Sequence, residues 1–202
     1  MLTPEKVRKL SGVFIAHLRS RFPTITKVKQ FIIAVGGFPG SGKTTAAIKL
    51  AELSKSVPIQ SNSARQLLRD CGLPYGENVH SLIREVLNEV MPKGYSIVMD
   101  GMIMEVKERI MLEELAKQFR HKIFYVAITG NPKVTETRAR ERYADGKPST
   151  FFDWRASNRE RYMESIHARV TRFQEAKTQI PDFKEVNNDG TKEELLRQLD
   201  LM

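Results

Sequence analysis

The chain has a single cysteine, Cys71, among its 202 residues. One thiol cannot form an internal disulfide, which excludes a disulfide-stapled scaffold and favours a reducing compartment. The chain also lacks a long apolar run. Its first apolar stretch, residues 12–16, is too short for a signal-peptide core and is followed by His17 and Arg19. We therefore expect a soluble, cytoplasmic protein that does not associate with a membrane.

Acidic residues are too few to balance the basic ones. The 24 Asp and Glu residues face 33 Lys and Arg residues, which leaves a net charge of +9. A basic surface suits anionic partners such as nucleotides, phosphorylated metabolites or nucleic acid. No stripe of alternating aromatic and basic residues is visible, so nucleic acid is possible but not favoured. A soluble surface with one local phosphate site is the simpler interpretation.

The clearest motif in the sequence is one glycine-rich stretch. The apolar run 31–35 predicts a strand buried on both faces, and residues 44–55 predict a helix. Between them, residues 37–44 read GFPGSGKT and fit the phosphate-binding pattern G-x-x-x-x-G-K-[ST]. A chance glycine turn would not need this order of strand, loop and helix. The candidate nucleotide-binding residues are Gly37, Phe38, Pro39, Gly40, Ser41, Gly42, Lys43, Thr44 and Thr45.

The chemistry of this stretch indicates a site for the phosphates of a nucleotide and for Mg²⁺. Glycines let backbone N–H groups approach phosphate oxygens, and the following helix presents its positive N-terminal end to the same anion. Lys43 is a candidate catalytic charge for the terminal phosphates, and Thr44 is a candidate Mg²⁺ ligand. Asp100 ends an apolar strand and is a second candidate for metal binding and catalysis. The alternative for Asp100 is a solvated residue in a turn with Gly101.

Predicted strands and helices alternate along the chain. This alternation predicts a three-layer α/β/α fold with about five parallel strands, covered by helices on both faces. Ligands in such folds bind at the carboxyl ends of the strands. The predicted strands are 31–35, 57–60, 95–99, 122–129 and 183–186, and the predicted helices are 3–21, 44–55, a short one ending at 68, 79–91, 105–119, 132–143, 153–177 and 192–199.

A second group of candidates follows the second predicted strand. Asn62 and Arg65 lie where a substrate site should begin, and Arg65 could hold an acceptor phosphate with its forked guanidinium. The alternative is that Asn62 or Ser61 caps a helix and that Arg65 is a surface residue.

A third group is rich in arginine. Arg138 and Arg142 are four residues apart on one predicted helix, as are Arg155 and Arg159 on the next. Two such helices would form a lid, at about residues 138–165, that closes over a nucleotide. In a closed lid the first pair would stabilise the transferring phosphoryl group, and the second pair would contact the substrate. The alternative is a solvated surface laced with Glu–Arg pairs.

These motifs together resemble the P-loop kinases of the adenylate-kinase-like group, which includes nucleoside monophosphate kinases, dephospho-coenzyme A kinase and polynucleotide-kinase-like enzymes. GFPGSGKTT resembles the phosphate loop of this group, IVMDG its third-strand acid, and RARER the start of its lid. VNNDGTKEELLRQL resembles its ending, where a loop passes beside the adenine. The resemblance implies a kinase domain over residues 31–202, a helical extension over 1–30, and Mg²⁺- and ATP-dependent phosphoryl transfer.

The sequence leaves the acceptor open. Residues 102–104 lack the arginine that adenylate kinases carry here, and Asn62 stands where polynucleotide-kinase-like enzymes usually have an Asp. Because Asn62 cannot take a proton and Arg65 can bind phosphate, a phosphate-bearing acceptor such as a nucleoside monophosphate is favoured. A hydroxyl acceptor with Asp100 as the base is one alternative, and a non-catalytic ATP-binding regulator is another. Residues 129–133, TGNPK, lack the Asn-Lys-x-Asp signal of a GTP switch.

Overall fold

A single parallel sheet forms the centre of the molecule. The computed structural model describes residues 1–25, 29–101, 103, 105–144, 159–180 and 182–200, and within these ranges one sheet of five strands is present. The strands are β1 (Phe31–Gly36), β2 (Val57–Gln60), β3 (Ile97–Asp100), β4 (Lys122–Thr129) and β5 (Lys184–Asn187).

Eight α-helices accompany the strands in the described ranges. The first begins as its sequence predicts, because the Thr3 hydroxyl accepts a hydrogen bond from the Lys6 N–H and proline occupies the first helical position. The helices are α1 (Pro4–Leu18), α2 (Lys43–Leu53), α3 (Ser61–Asp70), α4 (Glu77–Val90), α5 (Val106–Gln118), α6 (Pro132–Ala144), α7 (Arg159–Thr178) and α8 (Lys192–Asp200).

The strand order brings the ends of the first three strands together. All neighbouring strands are parallel, in the order β2-β3-β1-β4-β5. In this register Asp100 of β3 lies beside both Val35 of β1 and Gln60 of β2. The chain segments that leave these three strands therefore start from one edge of the sheet. The predicted α/β/α fold with a five-stranded parallel sheet is confirmed.

Apolar side chains fill both faces of the sheet. On one face, residues such as Ile32, Ile59 and Met99 pack with α1, α3, α4 and α5. On the other face, residues such as Val35 and Val98 pack with α2 and α8. Burial on both faces explains why the central strands β1 and β3 are nearly continuous apolar runs rather than alternating patterns. The edge strand β5 is mostly polar and exposed.

Helix α1 is part of the same core. Its residues Leu10, Phe14 and Leu18 are buried in the cluster that includes the β1 side chains. The helix packs along α4, where the Ser11 hydroxyl donates a hydrogen bond of 2.5 Å to Glu89. Among the helices of the described ranges, none is both long enough and apolar enough to cross a bilayer.

The element boundaries follow the sequence-based prediction in part. The strands predicted at 57–60 and 122–129 are found with those bounds. The alternative that Asn62 or Ser61 caps the third helix is not found, because α3 already begins at Ser61 and the extended Gln60 takes the N-cap position. The Asn62 side chain instead accepts a hydrogen bond from Arg65. Helix α7 is described from Arg159, while the predicted loop and helix start at 145–158 lie outside the described residues.

Candidate active site

The glycine-rich loop leaves β1 at the edge where β2 and β3 also end. Gly40 and Gly42 adopt positive φ angles of 83° and 85°, which L side chains rarely adopt. A Cβ at Gly40 would lie 2.6 Å from the Thr135 carbonyl oxygen, and a Cβ at Gly42 would collide with the Asn188 side chain. Glycine is therefore required at both positions by conformation and by space.

Helix α2 begins directly after this loop. Gly42 takes its N-cap position, and no side chain caps the helix there. The first N–H groups of a helix have no intrahelical partner, and the helix dipole is positive at this end. Lys43, Thr44 and Thr45 form the first turn and are half-buried. These residues and the loop together form the anion-binding geometry that the sequence predicts.

Thr44 and Asp100 meet across the sheet edge. The Thr44 hydroxyl donates a hydrogen bond of 2.6 Å to Oδ2 of Asp100. Asp100 is 3% exposed, and its other oxygen, Oδ1, is buried with no hydrogen-bond partner in the described structure. A buried carboxylate oxygen without a partner is costly unless a donor or cation completes it.

These two residues fit a magnesium site. Mg²⁺ prefers oxygen ligands and is usually held by one or two protein groups plus substrate phosphates and waters. The Thr44 hydroxyl and the Asp100 carboxylate supply such oxygens beside the phosphate loop, and Oδ1 of Asp100 still needs a partner. The predicted metal residues are thus brought together, and their role as ligands stays a prediction.

The Phe38 side chain is buried against α7. Its ring is 4% exposed and lies edge-on against Phe173 of α7, with 5.8 Å between ring centroids. Only the backbone of Phe38 is thereby left to serve a phosphate. The contact also places α7 against the phosphate loop, which the sequence did not predict.

Arg65 lies where the sequence predicts the start of an acceptor site. Its Nη1 donates hydrogen bonds to the Asn62 Oδ1 at 2.8 Å and to the Ser61 hydroxyl at 3.0 Å. Burial lowers the pKa of Arg65, and the negative charges of Glu108 and Asp100 oppose this shift. Arg65 is therefore close enough to Asp100 for their charges to interact, in an environment partly shielded from water.

A second arginine in this environment, Arg169, was not predicted from the sequence. Burial, together with repulsion from Arg65 and Arg172, lowers the pKa of Arg169 to about 10. Glu108 acts in the opposite direction; it is 7% exposed and accepts a hydrogen bond from the Glu105 N–H. Arg169 lies on α7, so α3, α5 and α7 together surround a cluster with more positive than negative charge. In the sequence, Arg169 was indistinguishable from its charged helix neighbours.

Arg138 contacts a loop rather than a phosphate position. Its guanidinium donates to the carbonyl oxygen of Asn188 at 2.9 Å and to that of Gly190 at 2.5 Å. Both acceptors belong to the loop between β5 and α8, which the resemblance places beside the adenine. The predicted catalytic role of Arg138 remains a prediction, and its contacts here are structural.

Several predicted residues lie beyond what the structure describes. Helices α6 and α7 do pack together through Ala139, Tyr162, Met163 and Ile166. The side chains of Arg142 and Arg159 and the whole of Arg155 are outside the described part of the chain. Their predicted catalytic and substrate-binding roles stay predictions, as does the closing of a lid over 138–165.

The fold and the phosphate loop define the class of the protein. A parallel sheet in the order β2-β3-β1-β4-β5, a glycine loop after β1 and an acid at the end of β3 are the features of a P-loop domain of the kinase type. A family model described as "AAA domain" matches residues 32–172, and the chain belongs to this family. The resemblance to P-loop kinases is confirmed at the level of fold and family.

Solved structures of similar fold are kinases. The APS kinase CysC of Mycobacterium tuberculosis, in complex with AMPPNP and APS, has a TM-score of 0.57 and 15% identity, covering 85% of this chain and 96% of that one. Shikimate kinase from Acinetobacter baumannii has a TM-score of 0.57 and 17% identity, covering 86% and 92%. A gluconokinase from Sinorhizobium meliloti has a TM-score of 0.54 and 16% identity, covering 89% and 90%. At these identities the likeness shows the fold alone.

Curated relatives share one part of the chain. The uncharacterized proteins Rv2004c of Mycobacterium tuberculosis and Mb2027c of Mycobacterium bovis are each 35% identical over 82 residues. The match covers 33% of this chain and 16% of each relative. The matched segment is thus a small part of much longer proteins.

Proposed function

We propose that this protein is an ATP-dependent phosphotransferase that moves the γ-phosphate of ATP to a small, phosphate-bearing acceptor. The observation that carries the proposal is the 2.6 Å contact between Thr44 and Asp100 at the start of α2. It joins the phosphate loop to the acid of β3, as nucleotide and metal binding at this loop requires. The names of the similar structures, which are kinases of nucleotides and small metabolites, support the same class.

The loop residues would promote phosphoryl transfer mainly by binding the phosphates and stabilising their negative charge. Backbone N–H groups of the loop and of the first turn of α2 would hold the phosphates, and the Lys43 ammonium would stabilise charge on the group in transfer. Thr44 and Asp100 would hold Mg²⁺, which would neutralise phosphate charge when bound. Arg142, Arg155 and Arg159 are proposed to approach from the lid.

The acceptor is proposed to be anionic because of the charge around Arg65. Besides burial, the positive charges of Arg65 and Arg172 both lower the pKa of Arg169, and Glu108 opposes this shift. Glu108 and Asp100 are the negative charges that act on Arg65. Keeping like charges together in a partly buried place is unfavourable, and an anion placed among them relieves the repulsion. Arginine also matches a phosphate group through paired hydrogen bonds.

A phosphate is preferred over a neutral hydroxyl as the group that attacks ATP. A hydroxyl must lose a proton during transfer, so a positioned base helps, whereas a phosphate is already largely anionic at neutral pH. Asn62 cannot take a proton, and its Oδ1 is bound to Arg65. A nucleoside monophosphate meets both requirements, because it brings the anion and is its own nucleophile.

One observation favours a second candidate, a kinase of a hydroxyl acceptor. Oδ1 of Asp100 is buried without a hydrogen-bond partner and could accept the proton of an attacking hydroxyl. In that case the arginine cluster would bind a distant phosphate or carboxylate of the same acceptor. Asp100 would then be a base as well as a metal partner.

An acceptor panel distinguishes the two candidates. Purified protein is incubated with γ-labelled ATP, Mg²⁺ and one acceptor at a time: nucleoside monophosphates, dephospho-coenzyme A, hydroxyl metabolites or 5′-hydroxyl oligonucleotides. We expect label in a nucleoside diphosphate, and none with Lys43→Ala. Transfer to a hydroxyl compound alone would replace the first proposal with the second. ATP binding without transfer to any acceptor would favour a regulator.

A further inference from the structure

The loop between β5 and α8, residues 188–191, is bonded to the phosphate loop through Asn188. The Asn188 Nδ2 donates a buried hydrogen bond of 2.8 Å to the carbonyl oxygen of Ser41, which is 147 residues away in the chain. Asn188 is 5% exposed, and its backbone N–H donates to the Thr129 carbonyl at the end of β4. One side chain thus fixes the backbone of the phosphate loop from a distant segment.

The fit around Asn188 is tight. A Cβ at Gly42 would collide with its amide nitrogen, so the glycine leaves the space that this side chain fills. The Asn188 Oδ1 is buried with no hydrogen-bond partner in the described structure. The amide cannot be turned over, because its oxygen would then oppose the Ser41 carbonyl oxygen. Its orientation is therefore set by the phosphate loop.

The same 188–191 loop is held on its other side by α6. Arg138 donates to the carbonyl oxygens of Asn188 and Gly190, at 2.9 Å and 2.5 Å. The Asn131 N–H, next to the start of α6, donates to the Asp189 carboxylate. Hydrogen bonds from arginine are stronger than those between neutral groups. A continuous chain of bonds therefore runs from α6 through the 188–191 loop to Ser41.

We propose that Arg138 and Asn188 are positioning residues that hold the phosphate loop in its binding shape from the 188–191 loop. The inference rests on the proposed function, since it assumes that the loop binds a triphosphate. It assigns Arg138 to ground-state binding of the nucleotide, because its Nη1 and Nη2 are engaged by loop carbonyls. Loss of a positioning residue of this kind raises KM for ATP. Loss of a positive side chain that contacts the transferring phosphoryl group instead lowers kcat.

Two ligands separate positioning from direct contact with the base. ATP carries a base and a triphosphate, whereas inorganic tripolyphosphate carries the phosphates alone. Both are titrated calorimetrically, with Mg²⁺, into the wild-type protein, Asn188→Asp and Asn188→Ala. We expect both variants to lose about tenfold in affinity for both ligands, because the bond to Ser41 shapes the phosphate site itself. Asn187→Ala, the exposed neighbour, is the matched control and should bind like wild type.

Arg138 is tested by a split between kinetic constants. Arg138→Ala should raise KM for ATP about tenfold and change kcat by less than about twofold. Arg140→Ala is the matched control, because it removes the same charge from the same helix. The Arg140 side chain pairs with Glu136 at the surface, so its loss should leave both constants unchanged. Unfolding midpoints are recorded for every variant to confirm that each is folded.

Each outcome decides the proposal. Weaker binding of ATP with unchanged binding of tripolyphosphate would make Asn188 a base contact and overturn the inference. If Arg138→Ala lowers kcat at constant KM, Arg138 acts on the transferring phosphoryl group, and the inference is overturned as well. If the variants bind ATP and tripolyphosphate as tightly as the wild-type protein does, the positioning inference fails and the proposed function stands. If wild-type protein binds neither, the proposed function fails with it.

Discussion

Replacing Gly42 by alanine tests the geometry of the phosphate loop, and Gly72→Ala is its matched control. Both glycines have positive φ angles, 85° at Gly42 and 64° at Gly72. A Cβ at Gly72 meets nothing within 4 Å, whereas one at Gly42 meets Asn188 and, at 3.2 Å, Leu195. The two substitutions therefore share the backbone strain and differ in the collision.

The structure gives the size of the difference. Forcing alanine into the left-handed region costs about 1–2 kcal/mol at either position. At Gly42 the new methyl group also displaces Asn188 and breaks its bond to Ser41, which adds about 1 kcal/mol. We expect Gly42→Ala to lower the free energy of unfolding by about 2–3 kcal/mol and Gly72→Ala by about 1–2 kcal/mol.

Urea unfolding and ATP titration measure the two effects separately. Gly72→Ala should bind ATP like wild type because it lies just after α3, beyond its C-cap residue. Gly42→Ala should lose measurable ATP binding, since the backbone that faces the phosphates has moved. Equal destabilisation by both substitutions, combined with unchanged ATP affinity of Gly42→Ala, would refute the reasoning.

Three further substitutions test individual roles. Lys43→Ala should lower kcat by roughly 10²–10³-fold with little change in the unfolding midpoint, and near-normal turnover would remove Lys43 from the site. Asp100→Asn should raise the Mg²⁺ concentration needed for half-maximal activity without loss of stability, because it removes a buried charge; the same activity at all Mg²⁺ concentrations would contradict this. Arg169→Gln should raise KM for the acceptor about tenfold and leave KM for ATP within about twofold; the reverse pattern would assign Arg169 to the nucleotide.

The fold was predictable because its signals are local. Strands β1 to β4 are short, mainly apolar runs, and β2 and β4 were predicted with the bounds that the structure has. The edge strand β5 is mostly polar and exposed. The phosphate loop is a contiguous pattern between a strand and a helix. Asp100 could be found because it ends such a run, and parallel strands bring their carboxyl ends to one edge.

The contacts within the site were not predictable because they join distant segments. Ser41 and Asn188 are far apart in sequence, and no periodicity or spacing relates them. Arg169 is one arginine among several on a charged helix, and it reaches the cluster through tertiary packing of α7, which includes the contact of Phe173 with Phe38. Asn62 could not be recognised as a partner of Arg65 because the sequence did not show that α3 begins at Ser61.

Phosphorus NMR of the complete reaction tests the central claim most directly. Protein, ATP and Mg²⁺ are followed with a nucleoside monophosphate as the acceptor. ADP gives doublets from its two coupled phosphorus nuclei whatever the acceptor. Transfer to the monophosphate creates a second diphosphate with doublets of the same kind, so two diphosphates form for each ATP consumed while the monophosphate singlet disappears. Transfer to a hydroxyl would give an uncoupled phosphoester singlet instead. We predict two diphosphates per ATP consumed, and strongly slowed conversion with Lys43→Ala; a new phosphoester singlet, or release of inorganic phosphate alone with every nucleoside monophosphate, would contradict the account.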